Sequence, residues 1–133
     1  MVIKLLKLLK SKFILIFTYI ILFSCVIPDK NCSNFKVGEF NFVSETNKTV
    51  YNSRSIRNDS IEVEYFGATI DTSKITWVSD CEYILRKLRP KNISEEKAVS
   101  VKIISTFENG YVFEYSFVGD IENRARGNAY RVK

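Results

Sequence analysis

Residues 60–66, SIEVEYF, alternate apolar Ile61, Val63 and Tyr65 with charged Glu62 and Glu64. A period of two marks a β-strand with one apolar face, and the charged face is expected to be wet. Val99, Val101, Ile103, Ser105 and Phe107 repeat the pattern, as do Tyr111, Phe113, Tyr115 and Phe117 against Glu114 and Ser116. Between these two runs lies Glu108-Asn109-Gly110. Asn-Gly is favoured in a type I′ turn, where both central residues take φ > 0, so this segment predicts a hairpin. Residues 35–42 alternate but slip phase at Gly38, which predicts a bulge or a close backbone approach. Residues 48–57 form a weaker strand candidate. Residues 75–78 and 81–88 follow, with a bend or bulge at Ser79-Asp80. Residues 124–133 are expected to add an edge strand through Tyr130 and Val132. Residues 90–97 suit either one helical turn or a charged loop. The pattern therefore predicts an all-β chain of about seven or eight short antiparallel strands, which must close into a barrel or pack as a sandwich. Sequential hairpins favour a small up-and-down barrel.

Ahead of this region the pattern changes. Four lysines (Lys4, Lys7, Lys10, Lys12) and no acid precede an apolar run from Phe13 to Phe23. That run is too short for a membrane span, which takes about 20 apolar residues, and it has the layout of an export signal. An uncleaved N-terminal anchor is the alternative. The segment Leu22-Phe23-Ser24-Cys25 resembles a bacterial lipobox, with Phe23 departing from its usual pattern. The resemblance implies a lipoprotein signal peptide over residues 1–24 and a diacylglyceryl anchor on Cys25. Residues 25–34 then read as a polar tether, and residues 35–133 as a single β domain.

The leader alters how the composition is read. The chain has 20 Lys+Arg, 15 Asp+Glu and a formal net charge of +5, four units of which lie in the leader. A processed chain is nearly neutral, so overall charge gives no argument for nucleic acid binding. With Cys25 lipidated, Cys32 and Cys81 form an even pair in an oxidising compartment and are expected to be disulfide-linked. Two free buried thiols are the alternative. The chain contains no histidine and no Cys-x-x-Cys, which removes Ser-His-Asp and Cys-His catalysis and leaves little basis for a metal site. No cofactor is expected.

Three segments carry a family resemblance: CSNFKVGEF from Cys32, RNDSIEVE from Arg57, and ITWVSDCEYIL from Ile75. Together they resemble a family of small lipoproteins and secreted proteins of flavobacteria and related Bacteroidota. Trp-x-x-Asp-Cys-Glu-Tyr is the most specific part. Some members carry the label DNA topoisomerase IV, and the residues here argue against that chemistry. Tyr130 follows Ala129, although Arg131 comes next, and there is no glycine-rich nucleotide loop. The resemblance and the leader imply a cell-envelope lipoprotein facing the periplasm, with secretion or the outer surface as the alternative.

Candidate chemistry is sparse. Glu62 and Glu64 share a strand face and are expected to be solvated; lining a cavity, they would raise one another's pKa. Trp77 and Asp80 flank Cys81, either as an aromatic binding platform or as packing against a disulfide. Tyr111, Phe113, Tyr115 and Phe117 would line a cavity for a small apolar ligand or fill a plain core. Arg86, Lys87, Arg89 and Lys91 form a basic cluster, read as a solvated loop or a contact for anionic lipid. The expected protein is a non-enzymatic, lipocalin-like barrel that binds a ligand or an envelope partner. The alternative is a structural or inhibitory module with a filled interior.

Overall fold

The structure, a computed structural model, describes residues 1–4, 6 and 30–133. Most of the expected leader, and Cys25, lie outside the described residues. Eight strands follow one another: β1 (Gly38–Thr46), β2 (Thr49–Arg57), β3 (Ile61–Phe66), β4 (Thr69–Ser79), β5 (Glu82–Lys87), β6 (Val99–Phe107), β7 (Gly110–Phe117) and β8 (Ala125–Arg131). Each pairs antiparallel with the next, and β8 returns to β1 from Phe40↔Arg131 to Ser44↔Gly127. The expected up-and-down barrel is therefore closed. The 125–131 segment is not an edge strand: it pairs on both sides, and its inward residues are Gly127 and Ala129, not Tyr130. Closure leaves no row of unpaired backbone groups.

The hairpins turn on other residues than the sequence suggests. In β6–β7, Phe107 pairs with Gly110, so Glu108 and Asn109 are the central residues, and neither has positive φ. Gly110 is a glycine for space: a Cβ there would run into the Ala129 carbonyl and lie 2.7 Å from the Phe107 ring. Positive φ at both central positions occurs instead at Asn47 (52°) and Lys48 (63°), between β1 and β2, as a type I′ turn requires. A register shift between Ile103 and Ser105 breaks the expected alternation of β6. It turns Phe107 outward, against Tyr130 at 5.8 Å. The Ser79-Asp80 bend belongs to the β4–β5 turn, with a register shift between Trp77 and Ser79.

One end of the barrel is plugged. Cys32–Phe35 form a 3-10 turn, so packed chain begins ahead of Phe35, inside the stretch expected to be tether. The Phe35 ring meets Tyr111 edge-on at 5.4 Å and Phe40 at 6.4 Å. The Cys32 and Cys81 sulfurs lie 2.03 Å apart, the separation of a disulfide, and join the plug to the β4–β5 turn. Arg131 crosses above Phe35 and Phe40 and donates to the carbonyls of Asn34 and Val37. Its guanidinium occupies the space a Cβ on Gly38 would take, and Gly38 has φ 142°. The phase slip is thus the start of β1, where positive φ and a close approach both favour glycine. At the other end, the single helical turn α1 (Ile93–Glu96) lies in the β5–β6 connection.

Candidate functional site

The unplugged end encloses a cavity of about 460 Å³. Phe42, Leu85, Val99, Val101, Phe113, Tyr115 and Phe117 supply its apolar wall, and Tyr51 and Phe66 extend it. The last two rings stand 6.4 Å apart. They come from β1, β2, β3, β5, β6 and β7 because inward positions recur every second residue. Three of the four aromatic residues singled out on 111–117 line the cavity: Phe113, Tyr115 and Phe117. Tyr111 and Trp77 are absent from the lining, as each sits toward the plugged end. Tyr111 is fully buried beside Phe35 and Phe40. Trp77 packs 4.7 Å from Tyr83, with Lys36 Nζ 5.1 Å from its ring centroid. Lys36 also holds Asp80 at 2.8 Å. The Trp77-Asp80 segment therefore braces the closed end rather than presenting a platform.

The acidic face of β3 points inward, reversing the expectation that it is solvated. Ile61, Val63 and Tyr65 take the outer face, with Val63 opposite Ile56 of β2. Glu62 is 4% exposed and Glu64 is half-buried, and both line the cavity. Glu62 is held by Arg57, whose Nε donates to Oε2 at 2.7 Å. The two residues face each other in register across the β2–β3 hairpin. Asn58 fixes that hairpin by accepting from the backbone N–H groups of Ser60 and Ile61 at 2.9 and 2.8 Å.

Arg57 is the center of the floor. It donates to the Phe35 carbonyl at 3.2 Å, to Tyr83 Oη at 2.7 Å and to Tyr111 Oη at 3.0 Å. Its guanidinium lies 5.0 Å from the Phe40 ring and 4.5 Å from the Tyr83 ring. Burial opposes its charge, but Tyr83, Glu62 and Tyr111 outweigh that and hold its pKa above the ordinary arginine value. Burial raises the pKa of the Tyr83 and Tyr111 hydroxyls in turn, and both accept from Arg57. Arg57 was not singled out from the sequence. The available signal was its inward phase with Ser55 and Ser53, and its place opposite Glu62 across a short turn.

Farther up the wall, Ser53 Oγ donates to Glu64 at 2.6 Å. Burial raises the pKa of Glu64, and the neighbouring carboxylates Glu62 and Asp71 push it the same way. Lys87 is the member of the basic cluster that turns inward. Its ammonium donates to Asp71 at 2.9 Å and pairs with Glu95 of α1 at 3.4 Å. Burial works against that charge, while Asp71 and Glu95 raise its pKa overall. Glu95 also accepts from the Lys91 backbone N–H, and its own N–H bonds the Asn92 side chain. This box fixes α1 at the mouth. Arg86, Arg89 and Lys91 are exposed. Ser44 and Tyr115 hydroxyls bond over β8, which separates their strands, at 2.9 Å.

Such a wall, mostly apolar with a few fixed polar groups, has the composition and size of a small-molecule site. Among the described residues, no group of His, Cys, Asp or Glu is arranged to hold a metal ion. No family model, curated protein or solved structure matches the chain.

Proposed function

We propose that this protein is an exported, lipid-anchored component of a bacterial cell envelope whose barrel binds one small, largely apolar molecule. The observation that carries the binding half is the cavity of about 460 Å³ behind a single plugged end. Eight-stranded barrels are either filled by side chains or hold one small ligand. Here small inward residues in the upper half, Ser44 and Ser73, leave room that aromatic residues fill lower down. The cavity favours binding over the structural-module alternative. No catalytic step is assigned to it.

The anchoring half rests on the leader and on Leu22-Phe23-Ser24-Cys25. The chain enters the barrel at the plugged end, through Asn31 and Cys32. A lipid on Cys25 would hold that end toward the membrane and leave the mouth facing the periplasm. Cells fed labelled palmitate should label the wild type and not Cys25→Ala. Untargeted mass spectrometry of molecules copurifying with the full chain tests the cavity. An apolar compound retained by the wild type and lost in Leu85→Trp supports binding; protein recovered bare and unable to take up any apolar probe contradicts it.

A further inference from the structure

The cavity is acidic as well as apolar, and its charges do not balance. Glu62, Glu64 and Glu95 line it, and Asp71 stands opposite Glu64 in register. Two of the three nearby cations are held in ion pairs. Arg57 is bound by Glu62, Lys87 is shared by Asp71 and Glu95, and Lys97 Nζ lies 5.5 Å from the centroid of the Phe117 ring. Glu64 has the Ser53 hydroxyl as its hydrogen-bond donor and belongs to no ion pair among the described residues. A half-buried acidic group thus lines a largely apolar cavity, with no ion-pair partner among the described residues.

We infer that the cavity takes an apolar molecule carrying a cationic group, an amine or quaternary ammonium, with the cation against Glu64 and the tail among Phe42, Leu85, Phe113 and Tyr115. The inference rests on the ligand-binding reading and narrows the class of ligand. A carboxylate in low-dielectric surroundings attracts a cation far more strongly than it would in water. Aromatic faces add cation–π attraction once the cation is desolvated. An anionic amphiphile would meet three carboxylates against two lysines, Lys87 and Lys97, and Lys87 is already held by two acids.

Three probes sharing one tail separate these cases: 4-phenylbutylamine, 4-phenylbutanol and 4-phenylbutanoate. Each is titrated calorimetrically into the full chain held in lipid nanodiscs, with empty nanodiscs subtracted. The amine is expected to bind about tenfold or more tighter than the carboxylate, with the alcohol between them. Glu64→Gln should remove the advantage of the amine over the alcohol. A carboxylate that binds as well as the amine, or an amine affinity unaltered in Glu64→Gln, overturns the inference while binding of the alcohol leaves the ligand-binding reading standing. Absence of saturable binding for all three overturns both. The wild-type order of affinities decides the matter alone if the variant fails to fold.

Discussion

A guanidinium with no exposed surface must find all its partners inside the protein. Arg57 does so through Glu62, the Phe35 carbonyl and two tyrosine hydroxyls. Removing it leaves Glu62 buried without a counter-charge, so Arg57→Met should lower stability by about 3–5 kcal/mol in denaturant unfolding. Arg57→Met combined with Glu62→Leu should regain much of that loss, because replacing both members of a buried pair leaves no orphaned charge. A single-variant loss within about 0.5 kcal/mol, the size typical of a surface change, would refute the central role of Arg57. Glu64 behaves oppositely. Its folded pKa is raised, mainly by burial and further by Glu62 and Asp71, with Ser53 and Lys87 opposing. Between its ordinary value and its folded value the native state holds a proton that the unfolded chain has released. The ionised group therefore costs stability as pH rises through that window, and the cost is absent below it. Glu64→Gln should be more stable than the wild type near neutrality, with the difference closing below about pH 4. Unfolding midpoints across pH check this, and a less stable variant at neutral pH would contradict it.

At the scale of the element, alternation located the strands but could not say which face is inside. β3 shows why. Its apolar and acidic faces are equally regular, and the usual assignment puts the acids in water. Arg57 and Ser53 on β2 decide otherwise, because they offer the acids an ion pair and a hydrogen bond inside the barrel. Those partners belong to another strand and become visible only once the register Arg57↔Glu62 is known. The aromatic run on β7 was legible for the opposite reason: Tyr111, Phe113 and Tyr115 have no competing apolar face of similar bulk. The register shift in β6 and the exchange of turn types left no period in the sequence to read. Lys48 is instructive here. It sits at φ 63°, a conformation that costs a side-chain-bearing residue roughly 1–2 kcal/mol. Lys48→Gly should therefore stabilise the β1–β2 hairpin by up to about 1 kcal/mol, net of the entropy glycine loses on folding. A decrease in unfolding midpoint for this variant would contradict a type I′ turn.

For the whole molecule, the barrel is closed by pairing at β1–β8 and stoppered by a disulfide-linked plug. Cys32 and Cys81 are separated by 49 residues, a loop that makes the link worth roughly 4 kcal/mol in the chain-entropy model. Cys32→Ser with Cys81→Ser should lower the unfolding midpoint accordingly and loosen the plug, seen as faster amide exchange at Phe35 and Tyr111. Unchanged exchange there would mean that Phe35 and Arg131 hold the plug without the link. The closed bottom, the roomy top and the entry of the chain from below together describe a cup. Closure and the cysteine pair followed from hairpin order and cysteine count. The cup did not, since room at one end depends on where small and large inward residues fall after eight strands have set their register. Saturable uptake of 4-phenylbutanol by the full chain in nanodiscs, compared with Leu85→Trp, tests the cup most directly. One site per wild-type chain, lost in a Leu85→Trp variant that keeps its β-sheet circular dichroism, is the expected result. Failure of the wild type to bind, or undiminished binding by the crowded variant, would contradict it.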